Sequence, residues 1–331
     1  MILRIALAFG AVIGIVVAGL IGGSVHFFQW IFGPLLIYAA LGIFMVGFIR
    51  KVVDWAKSPV PFRIPTTAGQ EMSLPWIKWS KIDNPSTTVG VIIRMALEVL
   101  LFRSLFRNTR TDLRSGYLIH GPSKWLWLLA LLFHYSFLII AIRHLRFFMD
   151  PIPWPIELID KVDGMFQIGI PPIYITDLLF FAGVGGLLVR RLFLPKVRFV
   201  SLMQDYFPLF LLLGIATSGL LMRFVWRVDI TAVKALALGV ASFHPTVPDG
   251  IGAIFFVHIA LVAVLLAYFP FSKLMHMGGV FMSPTRNLAN TNRMEYHENP
   301  WRKPPKFHTY QEYEDAYRDY MKEAGLPLER E

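Results

Sequence analysis

The sequence predicts an all-α integral membrane protein, a bundle of about six transmembrane helices with an interfacial helix and a cytoplasmic C-terminal tail. Three observations lead there. Of the 331 residues, 55% are hydrophobic and only 16% are charged, against about 25% charged in soluble domains. Apolar runs of about 18 residues or more recur, each able to cross a hydrocarbon core of about 30 Å as a helix. The connections between them alternate in charge, as topogenic segments do.

The first expected span, residues 3–23, carries one early charge, Arg4, and no small-residue cleavage site, so it reads as retained and not as a signal peptide. The others cover about residues 27–49, 124–147, 172–193, 206–226 and 251–274. Between the second and third, Arg50, Lys51, Lys57, Arg63, Lys78, Lys81, Arg103, Arg107, Arg110 and Arg114 make a basic segment. The Pro-rich connection 148–171 holds Asp150, Glu157, Asp160 and Asp163 against Lys161, and the next returns to Arg190, Arg191, Lys196 and Arg198. Basic connections stay inside. The expectation is therefore a multi-pass protein of the cytoplasmic membrane, with both termini cytoplasmic and residues 148–171 outside.

Residues 89–106, "VGVIIRMALEVLLFRSLF", are nearly long enough to span, but Arg94, Glu98 and Arg103 interrupt them. Arg94 and Glu98 stand four apart, a pairing suited to a wet helix face, so this helix is expected in the interface. Were it to span, every later connection would invert. Four regions follow: a two-span hairpin (1–50), the basic loop with the interfacial helix (51–123), a four-helix domain (124–276) and a tail (277–331). The net charge of +10 fits topogenic Lys and Arg beside a lipid bilayer better than a nucleic-acid surface.

The chain has no cysteine, which excludes a thiolate-bound iron–sulfur cluster, a disulfide and c-type haem attachment within it. A redox centre here must be a quinone or a cofactor held by histidine. The nine histidines sort by position. His297 and His308 lie in the polar tail, His26 at the outer end of the second span, His244 in an external loop, and His120 just before the third span. His134 and His144 share the third span; His258 and His276 share the sixth.

His258 and His276 are 18 residues apart, five turns and roughly 27 Å of an ideal helix. His134 and His144 are 10 apart, about 15 Å of rise. The two helices run oppositely, so His134 should meet His276 near the cytoplasm and His144 should meet His258 near the outer face. Two bis-histidine sites stacked in this way suit two b-type haems. The unequal spacings require tilt, side-chain reach or a kink at Pro270. Histidines that only hydrogen-bond within the bundle are the plainer reading, and His120 is an alternative ligand.

At these residues, "FHYSFLIIAIRH" and "FFVHIALVAVLLAYFPFSKLMH", the sequence resembles the gamma (cytochrome b) subunit of respiratory nitrate reductase, a membrane diheme quinol oxidase, over about residues 120–276. The additional N-terminal span, the long basic loop and "HMGGVFMSPTRN" are similar to a branch of that family, the membrane cytochromes of sulfite-reduction-associated complexes and of membrane heterodisulfide reductases. The resemblance implies two b-type haems, the inner held by His134 and His276 and the outer by His144 and His258. It also implies menaquinol as substrate near the outer haem, and electron delivery to a cytoplasmic iron–sulfur subunit resembling heterodisulfide reductase, in dissimilatory sulfur metabolism. Further membrane or extracytoplasmic subunits are expected beside it. A nitrate-reductase-type gamma subunit is the alternative within the family.

Arg143 and Arg146 flank His144, while Arg223 and Arg227 end the fifth span at the same level. All four are candidates for haem propionates, or for snorkelling to the interface. Depth alone makes Arg143, Asp177 and Arg223 candidates for the quinol site. In the tail, Thr309 and Glu312 form a capping box, and Tyr310, Tyr313, Tyr317 and Tyr320 make one stripe, expected to pack on a partner subunit or on the basic loop. Two readings from other classes are a proton-coupled transporter, which predicts inverted repeats not visible here, and a haem-free membrane anchor.

Overall fold

In hydrocarbon every backbone N–H and C=O must be satisfied within the protein, so each apolar run becomes a helix. The structure, a computed structural model, describes residues 2–58, 71–107, 110–166, 171–291, 293–294, 298 and 303–329; Arg63 and His297 lie outside them. Helix α1 is Ile2–Ser24 and α2 is His26–Ala56. Helix α2 runs through Arg50 and Lys51, past its expected end, and widens into a π turn at Ile31–Leu35 around Pro34, whose missing N–H breaks the ladder.

The basic segment then forms α3, Thr88–Leu101, capped by the Thr87 side chain, which accepts from Gly90 N. Its 14 residues reach about 21 Å, short of a bilayer crossing, and it stops at Phe102, which has φ 48°. The expected Arg94–Glu98 pairing on a wet face is not made. Arg94 is buried in a helix that packs on the turn Pro284–Asn287, while Glu98 accepts from Ser104 N at 3.2 Å and from its hydroxyl. A feature outside the all-α expectation follows, an antiparallel hairpin of β1 (Arg110–Arg114) and β2 (Tyr117–Gly121).

Next come α4 (Lys124–His144), α5 (Trp154–Asp163), α6 (Ile175–Phe193), α7 (Met203–Phe224), α8 (Ile230–Ala241) and α9 (Ala253–Tyr268). Among the described residues, five helices are long and apolar enough to cross a membrane. The expected fourth span, α6, is a 19-residue helix that stands apart from those five because Asp177, Arg190 and Arg191 sit at its ends. Its glycines seat it on α4: a Cβ at Gly183 would stand 2.7 Å from Phe133 N, and one at Gly186 2.4 Å from Leu129 Cδ2. Contacts run α4–α6–α7–α9, with α1 laid against both α7 and α9. Val12, Leu211, Val257 and Leu261 form the core of that junction.

The bundle has two ends. The near end carries Arg4, Arg191 and Lys273; the far end carries α5 and α8. Residues expected as external loop fold there as α8, whose N-terminus is capped by Asp229, accepting from Thr231 N at 2.8 Å and Ala232 N at 3.3 Å. Leu236 and Val240 of α8 pack on Phe256, and Tyr38 donates to Val240 O at 2.8 Å. At the near end, Asn290 ties the chain beyond the last span to the basic segment, donating from Nδ2 to Asn84 Oδ1 at 2.9 Å and from N to Pro85 O at 2.8 Å. The tail helix α10, Tyr310–Glu323, has its capping box. It buries Glu314 and Met321, with Glu329 N donating to Glu314 at 2.8 Å, and leaves all four tyrosines exposed.

Two outcomes follow. Gly19→Ala would put a methyl 2.6 Å from Val257 Cα, whereas a Cβ at Gly10 meets nothing within 4 Å. Thermal unfolding in detergent should therefore show a loss of about 1–3 kcal/mol for Gly19→Ala and none for Gly10→Ala. The second concerns Asp83, which pairs with Arg103 and Arg107. Burial opposes its charge, but hydrogen bonds from Arg107 and Arg103 outweigh it and hold the carboxyl below the usual range. A lowered folded value contributes stability above the unfolded value of about 3.9 and loses it on acidification through the folded one. Amide protection around Asp83 should persist down to about pH 4 and decay only below that.

Candidate functional site

His134 lies mid-way along α4, half-buried, edge-on to Phe102 and Phe133 with ring centroids 4.9 and 4.6 Å away. His276 does not continue α9 as an unbroken helix. Pro270 closes that helix in a 3₁₀ turn, Ser272 is extended at φ −124° and ψ 176°, and a second 3₁₀ turn delivers His276 to a short helix. The unequal spacings of 10 and 18 residues therefore need not match as helical rises, because only the first is one. The ring centroids of His134 and His276 stand 6.0 Å apart at the near end, and those of His144 and His258 stand 6.4 Å apart at the far end.

The hydrogen bonds of these rings decide their chemistry. His134 Nδ1 lies 2.8 Å from Ala130 O, His144 Nδ1 2.7 Å from Ile140 O, and His276 Nδ1 2.8 Å from Lys273 O. His258 Nδ1 lies 3.1 Å from Ile215 O and 2.9 Å from Ser218 Oγ. A carbonyl can only accept, so each Nδ1 carries the proton and each Nε2 keeps a lone pair. That is the state a metal ligand requires, with its other nitrogen held by the surrounding shell.

The residues fit a haem in the spacing of their rings. Two imidazoles on one metal, at nitrogen–metal lengths of about 2 Å, put their centroids about 6 Å apart, and both pairs meet that spacing. Among the described residues, no group of three or more His, Cys, Asp or Glu is placed to hold a metal ion. Two histidines would suffice for a metal whose remaining ligands belong to its own cofactor.

The other histidines lie elsewhere. His120 sits exposed on β2, 3.2 Å from Thr111 Oγ1. His26 is 4.0 Å from Asp249, His244 Nδ1 is 2.8 Å from Ser242 O, and His308 is 3.3 Å from Glu312.

Beside the far pair, two of the three quinol-site candidates, Arg143 and Arg223, converge on Tyr174, a residue sequence reasoning missed, and the third, Asp177, pairs with Arg143. The Arg143 guanidinium carbon lies 3.5 Å from the ring centroid of Tyr174, and that of Arg223 lies 4.2 Å from it. Arg143 is buried between two carboxylates, 3.1 Å from Asp163 and 3.1 Å from Asp177. Asp163 also accepts from Thr176 N at 2.9 Å and Thr176 Oγ1 at 2.6 Å. Arg146 and the Tyr174 hydroxyl both donate to Asp160, at 2.9 and 2.7 Å, and Arg223 donates to Pro172 O at 2.9 Å. Of the four propionate candidates, Arg143 and Arg146 are thus committed to carboxylates of their own chain, Arg223 is committed to Pro172, and Arg227 is exposed. The one visible sign of this network in the sequence is its excess of aspartate around Pro-rich turns.

A helical membrane protein that sets paired histidines at two levels has the build of a cytochrome b-like electron-transfer subunit. The chain belongs to the nitrate reductase gamma subunit family, whose profile matches residues 90–293. It is 45% identical over 278 residues to the Hdr-like menaquinol oxidoreductase cytochrome b-like subunit of Archaeoglobus fulgidus, covering 82% of this chain and 83% of that protein. The protein of the same name from Archaeoglobus profundus is 42% identical over 271 residues, 80% of each chain. The respiratory nitrate reductase 1 gamma chain of Escherichia coli is 32% identical over 163 residues, 45% of this chain and 69% of that one.

Removing one partner of a buried ion pair strands the other charge. Arg143→Ala, which leaves Asp163 and Asp177 without their shared cation, should lower stability by about 3–5 kcal/mol in thermal unfolding of the purified protein, whereas Arg227→Ala, at an exposed position, should stay within about 0.5 kcal/mol.

Proposed function

We propose that this chain is the diheme cytochrome b subunit of a membrane-bound respiratory complex, oxidising menaquinol near the outer face and passing electrons to a cytoplasmic iron–sulfur partner resembling heterodisulfide reductase. The observation that carries the reading is the approach of the two histidine pairs, 6.0 and 6.4 Å between centroids, with every Nδ1 hydrogen-bonded and, among the described residues, no hydrogen bond at any of the four Nε2 atoms. His134 and His276 would hold the inner haem, His144 and His258 the outer one. When bound, the two haems supply one-electron carriers at two depths of the membrane.

The chain's own residues orient the ligands and manage protons. Backbone carbonyls keep each imidazole in the ligand tautomer. Positive-inside topology puts the near end, with Arg4, Arg190, Arg191 and Lys273, in the cytoplasm, so the far end with Asp160, Asp163 and Asp177 faces outward. A quinol must lose two protons as it gives up two electrons. Asp177, 16% exposed in its side chain and set by Arg143, is the carboxylate to take the first from the quinol hydroxyl. The exposed tyrosine face of α10 is the surface for a partner subunit, since tyrosine is enriched at interfaces.

Placement in an Hdr-like menaquinol-oxidising complex and not a nitrate-reductase one is supported by the names of the two Archaeoglobus relatives, which each align over about four-fifths of the chain, whereas the nitrate reductase chain aligns over under half. Co-purification separates the two settings: an iron–sulfur subunit related to heterodisulfide reductase supports the proposal, and a molybdenum subunit overturns it.

For haem itself, a reduced-minus-oxidised spectrum of purified membranes should show a b-type α-band, with two haems per chain. His134→Ala and His276→Ala should each remove the same haem, and His144→Ala and His258→Ala the other. Retention of both haems in His258→Ala would break the pairing.

A further inference from the structure

Three of the four histidines take their Nδ1 acceptor from their own stretch of chain, three or four residues back: Ala130, Ile140 and Lys273. His258 differs, since both of its acceptors lie on a neighbouring helix, α7. Ile215 O is 3.1 Å from Nδ1, and Ser218 Oγ is 2.9 Å from it. Ser218 is 4% exposed and is bonded on both sides, because its hydroxyl also reaches Ile215 O at 2.9 Å. The carbonyl can accept only, so the serine proton goes to Ile215 O, and the serine lone pair is left to take the proton of His258 Nδ1. The next residue, Gly219, makes room for the ring: a Cβ there would stand 3.6 Å from His258 Cε1.

We infer that Ser218 is a positioning residue that sets the far-end ligand, making His258 a stronger electron donor than the histidines of the near-end pair and so holding the outer haem at a lower potential than it would otherwise have. This rests on the haem ligation proposed above. The physical basis is that an imidazole whose Nδ1–H is drawn by a second acceptor gains basicity at Nε2, which favours the oxidised metal. Hydrogen bonding to the ligand shell is one of the few levers a protein has on a haem potential. A lower outer potential is also the sense that drives electrons inward.

The test is a redox titration of the purified complex, followed in the α-band and by electron paramagnetic resonance, with the outer haem identified as the one absent from His144→Ala. In Ser218→Ala both haems should be retained, the outer potential should rise and the inner one should stay at its wild-type value. Ser218→Thr, which keeps the hydroxyl, should restore the outer potential. Unchanged potentials in Ser218→Ala, a fall in place of a rise, an equal shift of both haems, or failure of threonine to restore the value would each overturn the inference. Loss of the outer haem from Ser218→Ala would likewise overturn it, since the serine would then be needed for ligation itself and not for the potential. A wild-type complex without haem would instead remove the ligation reading on which it stands.

Discussion

Hydrocarbon offers no hydrogen-bond partner, and most of this molecule follows from how its polar groups make up for that. An imidazole among apolar helices has two nitrogens to satisfy. In all four paired histidines one nitrogen is satisfied by a carbonyl within 3.1 Å, and the other makes no hydrogen bond among the described residues. A carbonyl that accepts a side-chain proton as well as its helical bond uses its second lone pair, so the helix is not broken. The rings thus cost little backbone order, and the apolar composition around them can remain high.

The buried guanidinium of Arg143 meets the same constraint by a different route. A charge taken out of water is tolerated only when paired and well coordinated, and Arg143 has two carboxylates and an aromatic face. Those partners come from α5, α6 and the turn before α6. One arginine next to a histidine therefore fastens α5 and the start of α6 to α4, and Arg146 with Asp160 repeats the device one turn on. The carboxylates that read in the sequence as a topology signal also serve as anchors.

What could be read in advance follows the strength of the physical signal. The long helices were legible because an apolar run in a membrane has one solution, and the four paired histidines stood out because few residues of that kind are tolerated there. Arg94 departs from the expectation: an i,i+4 charge pair looks wet on a helical wheel, but the turn at Phe102 claims Glu98 for Ser104. The helix at 230–241 lies in a segment expected as loop, although Asp229 before an apolar stretch is a capping signal. The β-hairpin at 110–121 has only a Ser115–Gly116 turn to announce it. Tyr174 and Ser218 could not be found at all, since their roles depend on which helices become neighbours.

The break at Ser272 changes what sets the distance between the two histidine levels. On the α4 side that distance is a property of one continuous helix. On the other side α9 is interrupted, and its two rings are referred instead to α7: His258 through Ser218 and Ile215, and the segment before His276 through Lys273, which donates to Asp205 at 2.7 Å. Asp205 and Ser218 are separated by about 20 Å of unbroken helix. Helix α7 contributes no histidine, yet it acts as the ruler against which both levels are calibrated, and a change in its pitch would be read out at both ends of the membrane at once.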